Sequence, residues 1–422
     1  MRIWIATVSE QVPSDSPAER LLRGGTWAHE LARRGHQVTW WTDNVDHMRK
    51  RLRSSENRSV GLSEGLELRM VAGPGYKRSV SLARIHHYRR TSAELHKWMA
   101  DSVPPDVCLA ALPALEWVEA VLNIGEARGF PVVVDCRDMW PDLFTDLVPR
   151  GLRWPARLAL TPMFRKKRRG LRRAYAISGV TTQFVEWGLE GAGRQHNGMD
   201  FVAHHAYSDP QYDAATLAQA AESWDASGVI ENRDLLTVCF FGVLGSGFDF
   251  EPVMAGLRLL GTRAAQVRLV VCGDGFRLSE IRRSASGLDG VHFAGHVSGA
   301  HIRAMMERSD VALAPYVGTR NFLQNIPGKI SEYLSSGLPV ISGIDGAIGK
   351  YLESHECGWK YSDASEFAAC LNRLLEHPDL LLTARARATK AFESDFRAET
   401  IVERVERALE RVVQNWVAAT GK

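Results

Sequence analysis

The sequence predicts an α/β protein of two tandem Rossmann-like domains, with a cleft between the carboxyl ends of their sheets and a C-terminal helix returning to the first domain. Three observations predict it. Short apolar runs alternate with helical stretches from the first residues onward. The alternation restarts once, at Leu235-Leu236-Thr237-Val238-Cys239-Phe240-Phe241-Gly242. A chain of 422 residues is long enough to build two cores.

In the first series, strands are predicted over 2–8, 37–42, 66–71, 106–111 and 131–135, with weaker ones near Ala176 and Phe201. Val132-Val133-Val134 is continuous and β-branched, as a strand buried on both faces requires. Helices fall between, for example over 25–34. The second series places strands over 235–242, 267–272, 291–294, 311–315 and 339–341. Residues 211–234, polar and Ala-rich, read as a linker region. The expected domains are therefore 1–210 and 235–395. Residues 396–422 follow, as an amphipathic helix packing back on the first domain.

The net charge of +3 is too small to imply a nucleic-acid protein. The six cysteines form no C-x-x-C pair and read as small core residues of a reducing compartment. The start, Met1-Arg2-Ile3-Trp4-Ile5-Ala6, reads as a strand and not a signal peptide, and no apolar run approaches a membrane helix. The expectation is a cytoplasmic protein, with room for peripheral attachment to the inner face of the cell membrane.

The first strand is not followed by G-x-G-x-x-G, which argues against a dinucleotide oxidoreductase, and no P-loop is present. Gly24-Gly25 at a helix start can let backbone N–H groups approach an anion, or can be a plain glycine turn. Gly242, Gly245 and Gly247 form a glycine-rich turn after the first strand of the second series, a phosphate-cradling pattern that tight turns also use. Cys272-Gly273-Asp274-Gly275 ends the next strand, where Asp274 could cap the following helix. In the stretch 325–341, Pro327 and Gly328 precede a short helix closed by Gly337. Lys329 in its first turn opposes the helix dipole, which makes sense if an anion binds there. No H-E-x-x-H, G-x-S-x-G or metal cluster is visible, and the histidine pairs lack acidic or Cys partners at ligand spacing.

Taken in order, F-G-x-L-G, C-G-D-G, V-H-F-A-G-H-V, S-D-V-A-L-A-P and P-G-K-I-S-E-Y-L-S-S-G-L-P-V-I resemble the nucleotide-binding half of glycosyltransferase family 4, in its bacterial surface-polysaccharide branch. The resemblance covers residues 235 to 375 well. It covers the first half more loosely, through Gly24-Gly25 on the acceptor side, the run 31–39 and Asp135-Cys136-Arg137-Asp138-Met139-Trp140-Pro141. It implies a GT-B fold, a nucleotide-sugar donor, retention of anomeric configuration and no required metal ion or other cofactor. By the resemblance, Glu332 holds the ribose hydroxyls, while Lys329 and the turn from Gly245 to Gly247 face the diphosphate. Asn325 and Ile326 line the sugar pocket, and Gly242, Gly273, Asp274, Val297 and Arg320 belong to the donor side. Many members carry an acid where this chain has Gln324, and the basic residues often seen after F-G-x-L-G are missing. Asp138, at the end of a first-domain strand, is the expected group for orienting or deprotonating the acceptor hydroxyl. Arg137 would pair with it or meet a phosphate.

Residues 150–173, from Arg150 to Arg173, hold ten basic residues and no acidic one, interleaved with Trp154, Leu158, Leu160, Met163 and Phe164. That pattern suits an anionic membrane surface, and also an arginine-rich solvated helix. The sequence thus points to a retaining, hexosyl-type glycosyltransferase. It would move a sugar from a nucleotide diphosphate sugar, most simply UDP-linked, to a saccharide or lipid-linked saccharide acceptor. The rival readings are a UDP-sugar 2-epimerase of the same fold and a catalytically inactive nucleotide-sugar-binding partner subunit.

Overall fold

The computed structural model describes residues 1–15, 21–78, 81–146 and 148–421. The chain forms two units, Met1–Ser208 with Ala398–Lys422, and Asp209–Arg397.

The first unit is built on an eight-stranded sheet. Its order is Phe201–Val202, Ala176–Gly179, Val132–Cys136, Val107–Ala111, Arg2–Ala6, Gln37–Asp43, Leu66–Val71, Arg58–Ser63. All neighbours run parallel except the edge strand Arg58–Ser63, which turns back antiparallel on Leu66–Val71. Every residue of Val107–Ala111 and Val132–Cys136 is buried, as their unbroken apolar runs require. One face of the sheet packs Trp4, Trp41, Trp117 and Phe184 into a core. The other face packs Trp27, Trp40 and Leu31 together with Ile401, Val402, Val405 and Leu409. Those last four lie on the terminal helix Ala398–Thr420, which therefore belongs to the first unit. Its Glu406 pairs with Arg34 at 2.5 Å and with His36 at 2.6 Å.

The second unit has a six-stranded, all-parallel sheet. Its order is Val291–Gly295, Val267–Cys272, Leu236–Phe241, Val311–Ala314, Val340–Ser342, Gly358–Lys360. Phe240, Val253, Leu269, Leu313 and Phe367 sit in its core. The segment 211–234, expected as a linker, contains the helix Ala214–Ala226 within this unit. Trp224 is buried there and donates its indole N–H to His301 O at 3.0 Å. An alanine-rich sequence conceals a helix that is anchored by one tryptophan.

All six cysteines are free, and burial pushes their thiols up, Cys239 and Cys370 to about 12. They are packing residues. Among the described residues, no helix is long and apolar enough to cross a membrane.

Candidate active site

Sheet order locates the candidate sites. In each unit the central strand is flanked by the strand that follows it in the series and by the strand that opens the second half, Val107–Ala111 or Val311–Ala314. Chain direction across the sheet reverses there, so a crevice opens at the carboxyl ends of the central pair.

In the second unit those ends carry Gly242 and Pro315. A Cβ on Gly242 would lie 2.8 Å from Lys329 Nζ, so the missing side chain lets the lysine reach the strand end. That ammonium sits 5.6 Å over the Phe240 ring. Lys329 belongs to the helix Gly328–Ser335, which starts after Pro327 with no side-chain cap and no acid in its first turn. Tyr333 fastens this helix to the strand end, accepting from Phe241 N at 3.2 Å. Glu332, one turn on, is 8% exposed, Ile326 is buried, and Asn325 is 6% exposed. Asn325 Oδ1 is a buried acceptor with no hydrogen-bond partner among the described residues. Such an orphaned oxygen is costly unless something binds it. Gln324 ends the short helix Arg320–Gln324, and Arg320 stands exposed at its start.

The other predicted donor residues divide. A Cβ on Gly273, whose φ is 140°, would meet Gly242 O at 1.8 Å. Glycine there lets two strand ends lie backbone to backbone, so Gly273 shapes the Gly242 turn by close packing. Asp274 does not cap the following helix. Its carboxylate accepts from Gly275 N at 2.7 Å, while the helix Leu278–Ser284 has no side-chain cap. Gly245 and Gly247 do not run straight into a helix. Glu251–Leu259 begins later, and its Glu251 N donates to Asp249 Oδ1 at 3.0 Å. The turn is tied instead to the neighbouring strand end, with Asp249 N donating to Pro315 O at 2.7 Å and Val317 N to Gly247 O at 3.1 Å. Val297 lines a different cavity, of about 390 Å³, with Trp224, His292 and His301.

In the first unit the predicted anion contacts are already satisfied. Glu10, just past the first strand, accepts from Gly24 N at 3.2 Å and Gly25 N at 3.0 Å. The helix N-terminus has taken the chain's own carboxylate. The two glycines are also required by packing, since a Cβ would meet Thr7 Cγ2 at 2.6 Å or Trp40 Cη2 at 2.8 Å. Arg137 pairs with Glu10 and not with Asp138, and its Nε donates to Leu112 O at 3.2 Å. Beside them, Arg23 and Asp135 form a buried bidentate pair, both contacts 2.9 Å, with Ser178 donating to Asp135 at 2.7 Å. Burial pushes the Asp138 carboxyl above the usual carboxylate range, and the charges of Arg137 and Arg84 offset this only in part.

A polar cluster stands at the same strand ends. Ser9, at φ 61°, places its hydroxyl 3.1 Å from both Tyr76 Oη and Tyr88 Oη. His47 Nδ1 lies 2.8 Å from Tyr76 Oη, and Arg84 Nε donates to Tyr88 Oη at 2.9 Å. His87 and Asp43, both fully buried, meet at 2.9 Å behind them. Burial, then Lys50 and Arg84, lower the His47 imidazole to about 4, so it is neutral near pH 7. A left-handed serine fixed by three chain segments is the kind of backbone outlier that concentrates at functional sites. In the sequence the cluster's local sign is the run 84–99, basic and aromatic, with Tyr88 and Trp98. Among the described residues, no group of three or more His, Cys, Asp or Glu could hold a metal ion.

Residues 247–377 match the family described as Glycosyl transferases group 1. That segment contains Lys329, Glu332 and Asn325. Over 149 residues, 34% of this chain and 34% of the relative, the sequence is 26% identical to the putative colanic acid biosynthesis glycosyltransferase WcaL of Salmonella typhimurium. The chain therefore spans about a third of the length of the curated relatives it matches. Among solved structures it is similar to Anabaena HepE in complex with UDP, with TM-score 0.67, 13% identity, and 97% of this chain and 100% of that chain covered. It is also similar to WaaG, a glycosyltransferase involved in lipopolysaccharide biosynthesis, with TM-score 0.61, 14% identity, and 97% and 99% covered. At such identities the likeness speaks for the fold, and the fold is GT-B, as the sequence motifs implied.

Proposed function

We propose that this chain is a retaining glycosyltransferase of cell-surface polysaccharide synthesis. It moves a sugar from a nucleotide diphosphate sugar, UDP-linked, to a saccharide or lipid-linked saccharide acceptor, without a required metal ion. The observation that carries the reading is Lys329 at the Gly242 turn, on an uncapped helix start, at the switch point of an all-parallel sheet. Cation, N–H groups and close backbone approach together suit a diphosphate. The segment match and the UDP complexes of a similar structure support it.

In this reading Lys329 and the N-terminal turn of its helix hold the diphosphate. Glu332 accepts from the ribose hydroxyls, and Asn325 Oδ1 accepts from a hydroxyl of the donor sugar. In a front-side transfer, the bond between anomeric carbon and phosphate oxygen breaks as the acceptor oxygen attacks the same face. The acceptor proton passes to the departing phosphate oxygen, with Asp138 orienting the acceptor hydroxyl. Arg137, held by Glu10, positions the Asp138 turn. The protein works in the cytoplasm at the inner membrane surface.

Gln324, where many relatives carry an acid, favours a second reading as a nucleotide-sugar-binding partner subunit without turnover. Thermal shift with UDP- and GDP-sugars, followed by acceptor assays, separates the two. The transferase reading expects a donor-dependent rise in melting temperature and transfer to acceptor. Binding without transfer over a wide acceptor panel supports the partner subunit, and no shift with any nucleotide diphosphate overturns both. Interconversion of UDP-sugars without acceptor would instead indicate an epimerase.

A further inference from the structure

Phe276 is an 80% exposed phenylalanine on a closely held loop. The loop, residues 273–277, follows the strand Val267–Cys272 and is tied to the turn after Leu236–Phe241. Gly242 N donates to Cys272 O at 2.9 Å, Leu244 N to Asp274 O at 2.8 Å and Arg277 N to Leu244 O at 3.1 Å. A Cβ on Gly275 would meet Leu244 O at 2.3 Å, so here too backbone lies on backbone. Arg277 donates to Phe248 O at 2.6 Å and pairs with Glu280 at 2.6 Å. These contacts fix where the ring stands.

It stands over the glycine-rich turn. Phe276 Cε1 would lie 3.4 Å from a Cβ on Gly245, and Val243 in the same turn is 64% exposed. Apolar groups this bare gain by being covered, and a flat ring gains further from a second flat ring. Sheet order decides which part of the donor reaches them. Asn325, Ile326 and Lys329 follow Val311–Ala314, which lies on one side of Leu236–Phe241. Val267–Cys272, with the Phe276 loop at its end, lies on the other side. With the donor sugar at Asn325 and the diphosphate at Gly242 and Lys329, the Phe276 side is left to the base.

We infer that Phe276 is the platform on which the donor's nucleobase stacks. The inference rests on the donor site of the transferase reading and adds to it a contact for the base. A cation at a glycine turn holds any diphosphate, so Phe276 is what favours a nucleoside diphosphate over the rest. Every base presents a π-face, so the ring sets this preference without choosing among bases.

Calorimetry with UDP, UDP-glucose and inorganic diphosphate on the wild type, Phe276→Ala and Phe276→Tyr tests this. UDP is expected to bind Phe276→Ala about tenfold more weakly, the loss of one base stack. Phe276→Tyr keeps the flat ring and is expected to bind UDP as the wild type does. Inorganic diphosphate is expected to bind all three proteins alike. Equal UDP affinity in the wild type and Phe276→Ala overturns the inference. A loss shared by inorganic diphosphate overturns it too, since the ring then only shapes the phosphate turn. So does a loss seen with UDP-glucose and not with UDP, which would put the ring against the sugar. Absence of UDP binding to the wild type removes the donor-site reading itself, whereas UDP binding indifferent to Phe276 removes this inference alone.

Discussion

The two units finish their central strands in opposite ways. After Arg2–Ala6 the helix start is occupied by Glu10, Glu10 is neutralised by Arg137, and Arg23 and Asp135 form a second buried pair. After Leu236–Phe241 the strand end carries a glycine, and Lys329 stands in a helical turn that has neither cap nor acid. Both ends have the glycines and helix dipole that attract an anion. The difference lies in where the anion comes from: the chain supplies it in the first unit, and the proposed reading gives that place in the second to a ligand. Glycine at a helix start is therefore a weak sign until the nearest carboxylate has been located.

The contrast can be broken by mutation. The largest effect is expected from Asp138→Asn, which should lower transfer about 10²–10⁴-fold while leaving UDP affinity unchanged, read by initial rates and calorimetry. The acid limb of the kcat/KM profile should lie above the usual carboxylate pKa, because burial raises this group, and should vanish in the variant. Rates that keep falling on acidification in Asp138→Asn would assign that limb elsewhere.

Next in size is Arg23→Met. It strands the buried Asp135 and should cost about 3–5 kcal/mol in denaturant unfolding of the first unit. Lys329→Met in the second unit should cost less than this in the same measurement. Equal losses in the two variants would erase the distinction between an internal and an external anion.

Glu332→Ala should weaken nucleotide binding about 10–100-fold, the worth of charge-assisted hydrogen bonds to a diol. Wild-type UDP affinity would remove the ribose assignment.

The smallest expected effect is on stability against pH. Burial, then Arg23 and Arg137, lower His205 to about 3 in the folded chain against 6.5 unfolded. Its folded pKa is depressed, so its neutral form stabilises fully above pH 6.5, and that contribution drains away as pH falls toward 3. Melting temperature should therefore drop from pH 7 to pH 4, and less so in His205→Gln.

Much of the fold was legible because parallel strands buried on both faces are continuous apolar runs. Residues 66–71 and 267–272 were placed to the residue. Arg58–Ser63 was missed because an exposed edge strand carries no such run, and Gly358–Lys360 because three residues leave little pattern. Around Lys329 the local order of residues sufficed, since turn, helix and strand follow one another in the chain. Glu10 was missed because its partners, Gly24 and Arg137, lie far along the sequence and only the sheet brings them together. The cluster of Ser9, Tyr76, Tyr88 and Arg84 was hidden for the same reason. For Glu10 itself the hint is an acid soon after the first strand.

If Lys329 receives a ligand's anion at the second unit's strand end, its loss must show in nucleotide binding. Titration of UDP into wild-type and Lys329→Met protein by calorimetry tests this most directly. Binding to the wild type and a loss of at least about tenfold in the variant are expected. Equal UDP affinity in the two proteins would contradict it.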